Sequence, residues 1–430
     1  MLIFDQNLEN YIDSSISTQC EFEKSTKRKR ISVHFLFGSK FEDDLLVALA
    51  SRCPISDAIL SGEAASDQQI DPEWVADYGV RANRLLPGGV RIVGLLIVAD
   101  KTFAPQFRSF SKSLTFIAKA SDVLYPESES IPMALVTVES PLGVPKVSLM
   151  DAKQKNGEKL SKLAYQPLSW FTVNSSAEFN LAVPLPENDA CKDFYSQFEA
   201  TLSRFTKQLL REEVCFIDGK LMSPNECPVG KSSKKGQCQV ELVISETGED
   251  SEEIIAFATQ VEVLVDVNIA AAVPVGSSAR MIVLAAKEHL LKTLFNRAEL
   301  HHESTEIIED ENQDQLSIHQ LPRIASAPIP AHPQIRVTEC LFEKDSTDDA
   351  KDSFRQLLSL DLVICDDEER HLNEGDLAKF STGMHNEIVG DFTPQTTTET
   401  SSMDSSMLLG GVIAAILALV LALLGYKFLL

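Results

Sequence analysis

A run of about twenty uncharged residues, MLLGGVIAAILALVLALLGY at 407–426, constrains this chain more than any other segment. At roughly 1.5 Å rise per residue, a helix of that length spans the ~30 Å hydrocarbon core of a bilayer. A helix buried in a soluble core usually keeps a polar stripe, and this run has none. The expectation is a single transmembrane helix over 407–427. Only Lys427, Phe428, Leu429 and Leu430 follow the run, so insertion is expected after translation, in the tail-anchored arrangement. The opening residues MLIFDQNLENYIDSS carry Asp5, Glu9 and Asp13 and lack the basic start and apolar run of a secretory signal. The N-terminal bulk is therefore expected in the cytosol, where the sequon at Asn174 goes unused. Flanking charge gives no independent support, because Asp404 precedes the run and Lys427 follows it. Ser406, Gly410, Ala414, Ala418 and Ala422 recur every four residues as an anchor stripe of small side chains. The stripe is either a face for another helix or the ordinary Gly and Ala content of membrane helices.

Charge divides the part before the anchor. The chain holds 63 acidic and 39 basic residues, a net charge of −24, which argues against a nucleic-acid partner because phosphate neutralisation needs excess Lys and Arg. Between Glu299 and Asp404 there are about 24 acidic and 7 basic residues, so that quarter carries most of the imbalance. Residues 301–406 are read as an acidic, largely disordered linker, with SAPIPAHPQ extended and TPQTTTETSSMDSS a flexible tether. A short ordered island is expected near 335–365, with a strand at 335–342 and a helix at 348–360. The tether shows no heptads, which removes a coiled-coil fusion protein from consideration. The eight cysteines include no C-x-x-C pair and read as scattered reduced thiols.

The first three hundred residues alternate strand and helix signals. Two β-like runs at 31–37 and 45–50 suggest a hairpin. A helix is predicted over 72–86, ended by Pro87-Gly88-Gly89, and the apolar run VRIVGLLIV at 90–98 reads as a strand buried on both faces. An amphipathic helix follows over 106–124, then strands at 133–138 and 146–150. Phe194, Phe198, Leu202, Phe205 and Leu209 fall at spacings of four, four, three and four on a second helix. That stripe is either core or a face for a partner helix. Strands are predicted at 239–244, 254–258 and 260–272, and a closing helix at 281–297. The fold class is therefore α/β with a mixed sheet, in a domain at 1–190 and a second portion at 191–300 packed on it.

Motifs that carry chemistry are sought without result. Residues 225–232, NECPVGKS, keep the end of a phosphate loop but place Asn225 where the first glycine belongs and Pro228 where an N–H is needed; they read as an exposed basic loop. His301 and His302 are adjacent, point about 100° apart on a helix, and read as solvent-facing rather than as metal ligands. Lys27-Arg28-Lys29-Arg30 reads as a solvated turn, with a nuclear signal or an anionic-lipid contact as the other readings. No catalytic, metal or cofactor-binding residue is assigned, and no cofactor is expected. A hydrolase site assembled from distant Ser, His and Asp segments stays open as the alternative to a binding scaffold.

Arg84 followed by LLPGGVRIVGLLIVAD, the FRSFSKSLTFIAKASD helix and the terminal anchor, in that order, resemble the odorant response abnormal protein 4 family over roughly the whole chain. The structural motif is Leu85, Leu86, Pro87, Gly88 and Gly89 ahead of the apolar strand. The resemblance implies a single-pass endoplasmic reticulum protein, an adaptor rather than an enzyme. It would promote maturation of odorant receptors, a class of G-protein-coupled receptor, and their passage to cilia, with a ubiquitin-fold-modifier-specific protease as partner. The LLPGG unit also resembles the non-catalytic domain of that protease and, through it, the MPN fold. Active MPN members hold zinc with an H-x-H pair, a downstream Asp and a Glu; here His34 stands between Val33 and Phe35 without an H-x-H. The resemblance thus implies an MPN-like non-catalytic domain.

Overall fold

Strand β4 (Arg91–Asp100) is buried along its length, as the unbroken apolar run at its centre demands, and the first layer is built round it. Its neighbours are β2 (Ile31–Phe41), antiparallel, and β5 (Pro132–Ser140), parallel. With β1 (Leu2–Asp5), β3 (Asp44–Arg52), β6 (Lys146–Asp151), β7 (Lys159–Ser161) and β8 (Leu163–Gln166) they form an eight-stranded sheet in the order β7-β6-β5-β4-β2-β3-β1-β8. Alternate residues of β4 feed two separate cores. Val93, Leu96 and Val98 pack with helix α1 (Tyr11–Thr26) on one face, while Ile92, Leu95 and Ile97 pack with α2 (Pro72–Arg84) and α3 (Ser109–Asp122) on the other. Each fully buried Leu or Ile here contributes about 1.5–3 kcal/mol, which is why the run tolerates no polar residue.

The structure, a computed structural model, describes residues 1–27, 29–54, 70–122, 132–141, 143–151, 159–186, 194–228, 236–244, 257–308, 319–342, 345–360 and 379–385. Residues 1–386 form one compact unit. The predicted anchor at 407–427, its stripe from Ser406 to Ala422, and the 229–232 end of the basic loop at 225–232 lie outside the described residues, while Asn225, Glu226 and Cys227 of that loop are exposed as expected. Among the described residues no helix is long and apolar enough to cross a membrane.

The second sheet is built on two long antiparallel strands, β9 (Trp170–Pro186) and β13 (Phe257–Pro274). Short strands β10 (Cys215–Ile217), β11 (Lys220–Met222) and β12 (Gln237–Glu241) extend it on one side, and β14 (His319–Leu321) and β17 (Lys379–His385) on the other. Helices α4 (Phe194–Arg211) and α5 (Ala279–Ile308) cover one face. The other face shows solvent Ser176, Glu178, Asn180, Asp266 and Asn268, so β9 and β13 alternate in composition where β4 does not. The run split into two strands at 254–258 and 260–272 is the single strand β13 where described, and α5 outruns its predicted end by eleven residues.

The stretch read as acidic linker carries a hairpin of β15 (Arg323–Ile329) and β16 (His332–Leu341), then helix α6 (Thr347–Leu358). The Pro-rich segment 326–334, read as extended linker, forms the end of β15, the turn at Pro330 and the start of β16, with Pro328 opposite Arg336 in a sheet of two described strands. A capping box between Ser346 and Asp349 opens α6, and Phe354 and Leu358 bury it in the core beneath α2. The Tyr78 hydroxyl donates to the Gln356 carbonyl and ties α6 to α2. The basic cluster at 27–30 is only partly a solvated turn. Lys29 pairs with Asp100 at 3.0 Å, but Arg30 is buried, its guanidinium 3.6 Å over the Phe22 ring and its Nε donating to Gln19 Oε1 at 3.1 Å.

Candidate functional site at the LLPGG turn

Helix α2 begins where Asp71 accepts the Glu73 N–H at 3.0 Å and Pro72 takes the first turn; Arg81 and Arg84 fall in its last turn, the favoured end for cations. The chain then reverses through Leu85, Leu86, Pro87, Gly88 and Gly89 into β4. Asn83 Oδ1 accepts the Ile92 N–H at 3.0 Å and fixes the angle of that reversal.

The turn has few side-chain polar groups, so it is held by its backbone. Gly88 N–H donates to His289 Nδ1 at 3.2 Å and Gly89 N–H to Glu288 Oε2 at 2.8 Å. Lys292 Nζ donates to Val90 O at 3.2 Å and Leu86 O at 3.5 Å, and Asn296 Nδ2 reaches Arg84 O at 3.5 Å. Thr338 of the hairpin donates to Leu85 O at 2.8 Å, and Ala272 of β13 to Gly88 O at 3.0 Å. Four residues at helical spacing on α5 thus satisfy a loop two hundred positions away. Both glycines are required by space. A Cβ on Gly88 would lie 2.0 Å from Ala285 O and 2.5 Å from His289 N, and one on Gly89 2.3 Å from Ala272 O, with φ at +82° besides.

The cradle is buried and charged. His289 is 3% exposed and its pKa is lowered to about 3, by burial first and then by Lys292 and Arg297. Protonation would also break the bond that Nδ1 accepts from Gly88. Burial lowers Lys292 to about 8, against the opposing pull of Glu288. Arg91 approaches the Glu288 carboxylate at 3.7 Å, and Arg84 pairs with Glu299 at 2.8 Å on the partly exposed rim.

The stripe proposed as a partner-helix face is filled from within the chain. Phe198, Leu202, Phe205 and Leu209 are buried against sheet and α5, with Phe205 stacked on Phe179 at 4.9 Å, and Phe194 half-buried on Phe198 at 5.5 Å. The reason is that α5 runs antiparallel beside α4 and leaves no room for another helix. Lys287 locks the pair, its ammonium donating to Leu209 O at 2.7 Å and to Glu212 O at the C-terminal end of α4. His301, expected in solvent, is buried edge-on to Phe194, and His302 stacks on Tyr195 at 4.3 Å. Among the described residues no group of three or more His, Cys, Asp or Glu is placed to hold a metal.

One Ser–His contact bears on the hydrolase alternative. Ser32 Oγ lies 2.9 Å from His34 Nε2, but His34 Nδ1 is taken by the Tyr11 hydroxyl at 2.9 Å and the pair is buried. Burial, followed by Arg52 and Arg30, holds the imidazole at about 3, too weak a base to activate a hydroxyl near neutral pH. The bond between Tyr11 and His34 joins α1 to β2. Sequence reasoning missed the cradle residues Glu288, His289, Lys292 and Asn296. Their i, i+1, i+4, i+8 pattern of polar residues within a long helix was the available signal.

The sequence matches the family described as Odorant response abnormal 4-like over residues 35–369. It is 31% identical over 390 residues to Odorant response abnormal protein 4 of Caenorhabditis elegans, covering 87% of this chain and 81% of that one. It is 22% identical to the odr-4 homolog of Mus musculus over 74% of this chain and 76% of that one. For the Homo sapiens homolog the figures are 23%, 81% and 82%. Among solved structures, the crystal structure of UfSP from C. elegans aligns at a TM-score of 0.40 and 8% identity, over 84% of this chain and 56% of that one. The chain belongs to the Odorant response abnormal 4-like family.

Proposed function

We propose that the protein is an endoplasmic reticulum adaptor, held in the membrane by a helix at 407–427 with its N-terminal bulk in the cytosol. It promotes folding, maturation and transport of odorant receptors to cilia, together with a ubiquitin-fold-modifier-specific protease. The body is an MPN-like domain that has kept the architecture of that fold and serves as a binding scaffold rather than a catalyst. Family membership carries the reading. The LLPGG turn adds support, because its glycines and carbonyls are consumed in joining the two sheets, as a scaffold motif would be.

The test is co-purification from detergent of the full chain and of a chain lacking 407–430. The protease is expected with both, while only the full chain sediments with carbonate-washed membranes. Absence of the protease from both preparations would refute the adaptor reading. In sealed microsomes, added protease is expected to digest an epitope at Met1; protection of that epitope would place the body in the lumen and overturn the orientation.

A further inference from the structure

The same face of α5 that holds the LLPGG turn continues into a partly open recess. A cavity of roughly 160 Å³ lies between α5, the end of α2 and the β15–β16 hairpin, lined by His289, Lys292, Thr293, Asn296, Arg84 and Glu339 among others. Its lining side chains include donors on Arg81, Arg84, His289, Lys292, Thr293 and Asn296. Because His289 Nδ1 accepts from Gly88, the ring proton sits on Nε2, and that N–H has no hydrogen-bond partner among the described residues. The Thr293 hydroxyl, on a residue 4% exposed, is likewise without one. Lys292, 5% exposed, bonds only to two carbonyls, and no described carboxylate lies within ion-pair distance of it. Glu288, the acid that acts on it, is engaged by Gly89 N–H and Arg91. Glu339 is the one acid in the lining, and burial raises its pKa, which lowers its capacity to serve as the counter-charge.

We propose that this cavity is a binding site for a small free oxyanion, a phosphate or a carboxylate, received by His289 Nε2–H, the Lys292 ammonium and the Thr293 hydroxyl, with Arg84 at the rim. A buried ammonium with no described carboxylate in contact is costly, and an anion beside it reduces that cost while bonding two donors that have no partner among the described residues. The volume admits one such ion with a water or two, against about five waters if water alone filled it. The bound ion would tie α5 to the hairpin and α2 across the junction of the two sheets. This inference is independent of the receptor-trafficking reading.

The experiment titrates the full-length chain in detergent with inorganic phosphate or with acetate, chloride holding ionic strength constant, by calorimetry and thermal unfolding. Saturable one-to-one binding with a rise in the unfolding temperature is expected for at least one of the two ions, and the tighter one identifies the chemistry. Thr293→Val keeps the shape and removes only the hydroxyl; it should fold normally and bind about three- to tenfold more weakly. Lys292→Met should weaken binding by roughly tenfold or more. Binding of neither ion would mean that the cavity holds water only and overturns the proposal. Equal affinity in wild type and Thr293→Val would overturn it too, by moving the ion elsewhere.

Discussion

Helices α4 and α5 lie side by side on the same sheet, yet they are buried by different means. The covered face of α4 carries no charge: Phe198, Leu202, Phe205 and Leu209 are joined only by Thr201 and Thr206, whose hydroxyls bond back to their own helix, and its charged residues face solvent. On α5 the buried residues include Lys287, Glu288, His289, Lys292, Thr293, Arg297 and His301 alongside Ile282, Leu290, Leu291 and Leu294. The cause is position. One side of α4 meets the protein, whereas α5 has the sheet on one side and the LLPGG turn, α2 and α4 on others. A helix enclosed in that way must satisfy the backbone groups of whatever touches it, and polar side chains do so. The contrast teaches that a helix can hold a fold together by volume or by hydrogen bonding to a loop, and that the two leave different marks in a sequence.

The contrast can be tested at both helices. Gly88→Val puts side-chain atoms against the backbone of α5, where nothing flexible can yield, and should cost on the order of 5 kcal/mol or more; little folded protein is expected in a urea titration. A well-folded variant would show that the junction is looser than drawn. On α4, Phe198→Ala should cost about 3–5 kcal/mol through lost burial and a residual cavity, without altering the pH dependence of stability.

That pH dependence should arise from α5 and β2, with His332 of β16, which burial also lowers, adding to it. The folded pKa values of His289 and His34 are lowered to about 3 from 6.5, so as pH falls through 6.5 the unfolded chain takes up protons that the native chain refuses. Stability is thus highest above pH 6.5 and declines toward pH 3, by about 1.4 kcal/mol per pH unit for each histidine, or roughly 2 kcal/mol each at pH 5. His289→Asn keeps an acceptor for Gly88 N–H but does not titrate; urea midpoints between pH 7 and 5 should show a clearly smaller decline than the wild type, with His34 and His332 still contributing. An unchanged slope would mean that His289 is not held neutral. The smallest effect belongs to the rim, where Arg84→Gln removes a partly exposed pair with Glu299 and should change stability by about 0.5 kcal/mol, less in high salt.

Legibility in the sequence followed the same contrast. The stripe from Phe194 to Leu209 and the apolar run of β4 announced a helix and a strand, and the hairpin of β2 and β3 was visible from its two runs. Strand β9 went unread, although Phe171, Val173, Ala177, Leu181 and Val183 mark its inner face; its Asn and Ser residues mimic a loop until β12 and β13 pair with it on either side. Strand β15 was hidden by prolines and acidic neighbours that suggest linker, whereas the runs at 335–342 and 348–360 announced β16 and α6. Of the candidate site, the LLPGG turn was recognisable as a punctuation mark, but its partners on α5 were not.

What the sequence determined by itself is periodicity: where helices and strands run, which face of each is apolar, and which segment, 407–426, is uniformly so. These are local properties, written in the spacing of neighbouring side chains. Only the tertiary structure decided that Lys287, Glu288, His289 and Lys292 are interior, and that two glycines must remain glycines. Both depend on the approach of backbone to backbone across two hundred residues. On the turn's side those bonds use main-chain atoms that every residue carries, so the polar spacing along α5 marks an unusual helix without naming the loop it holds.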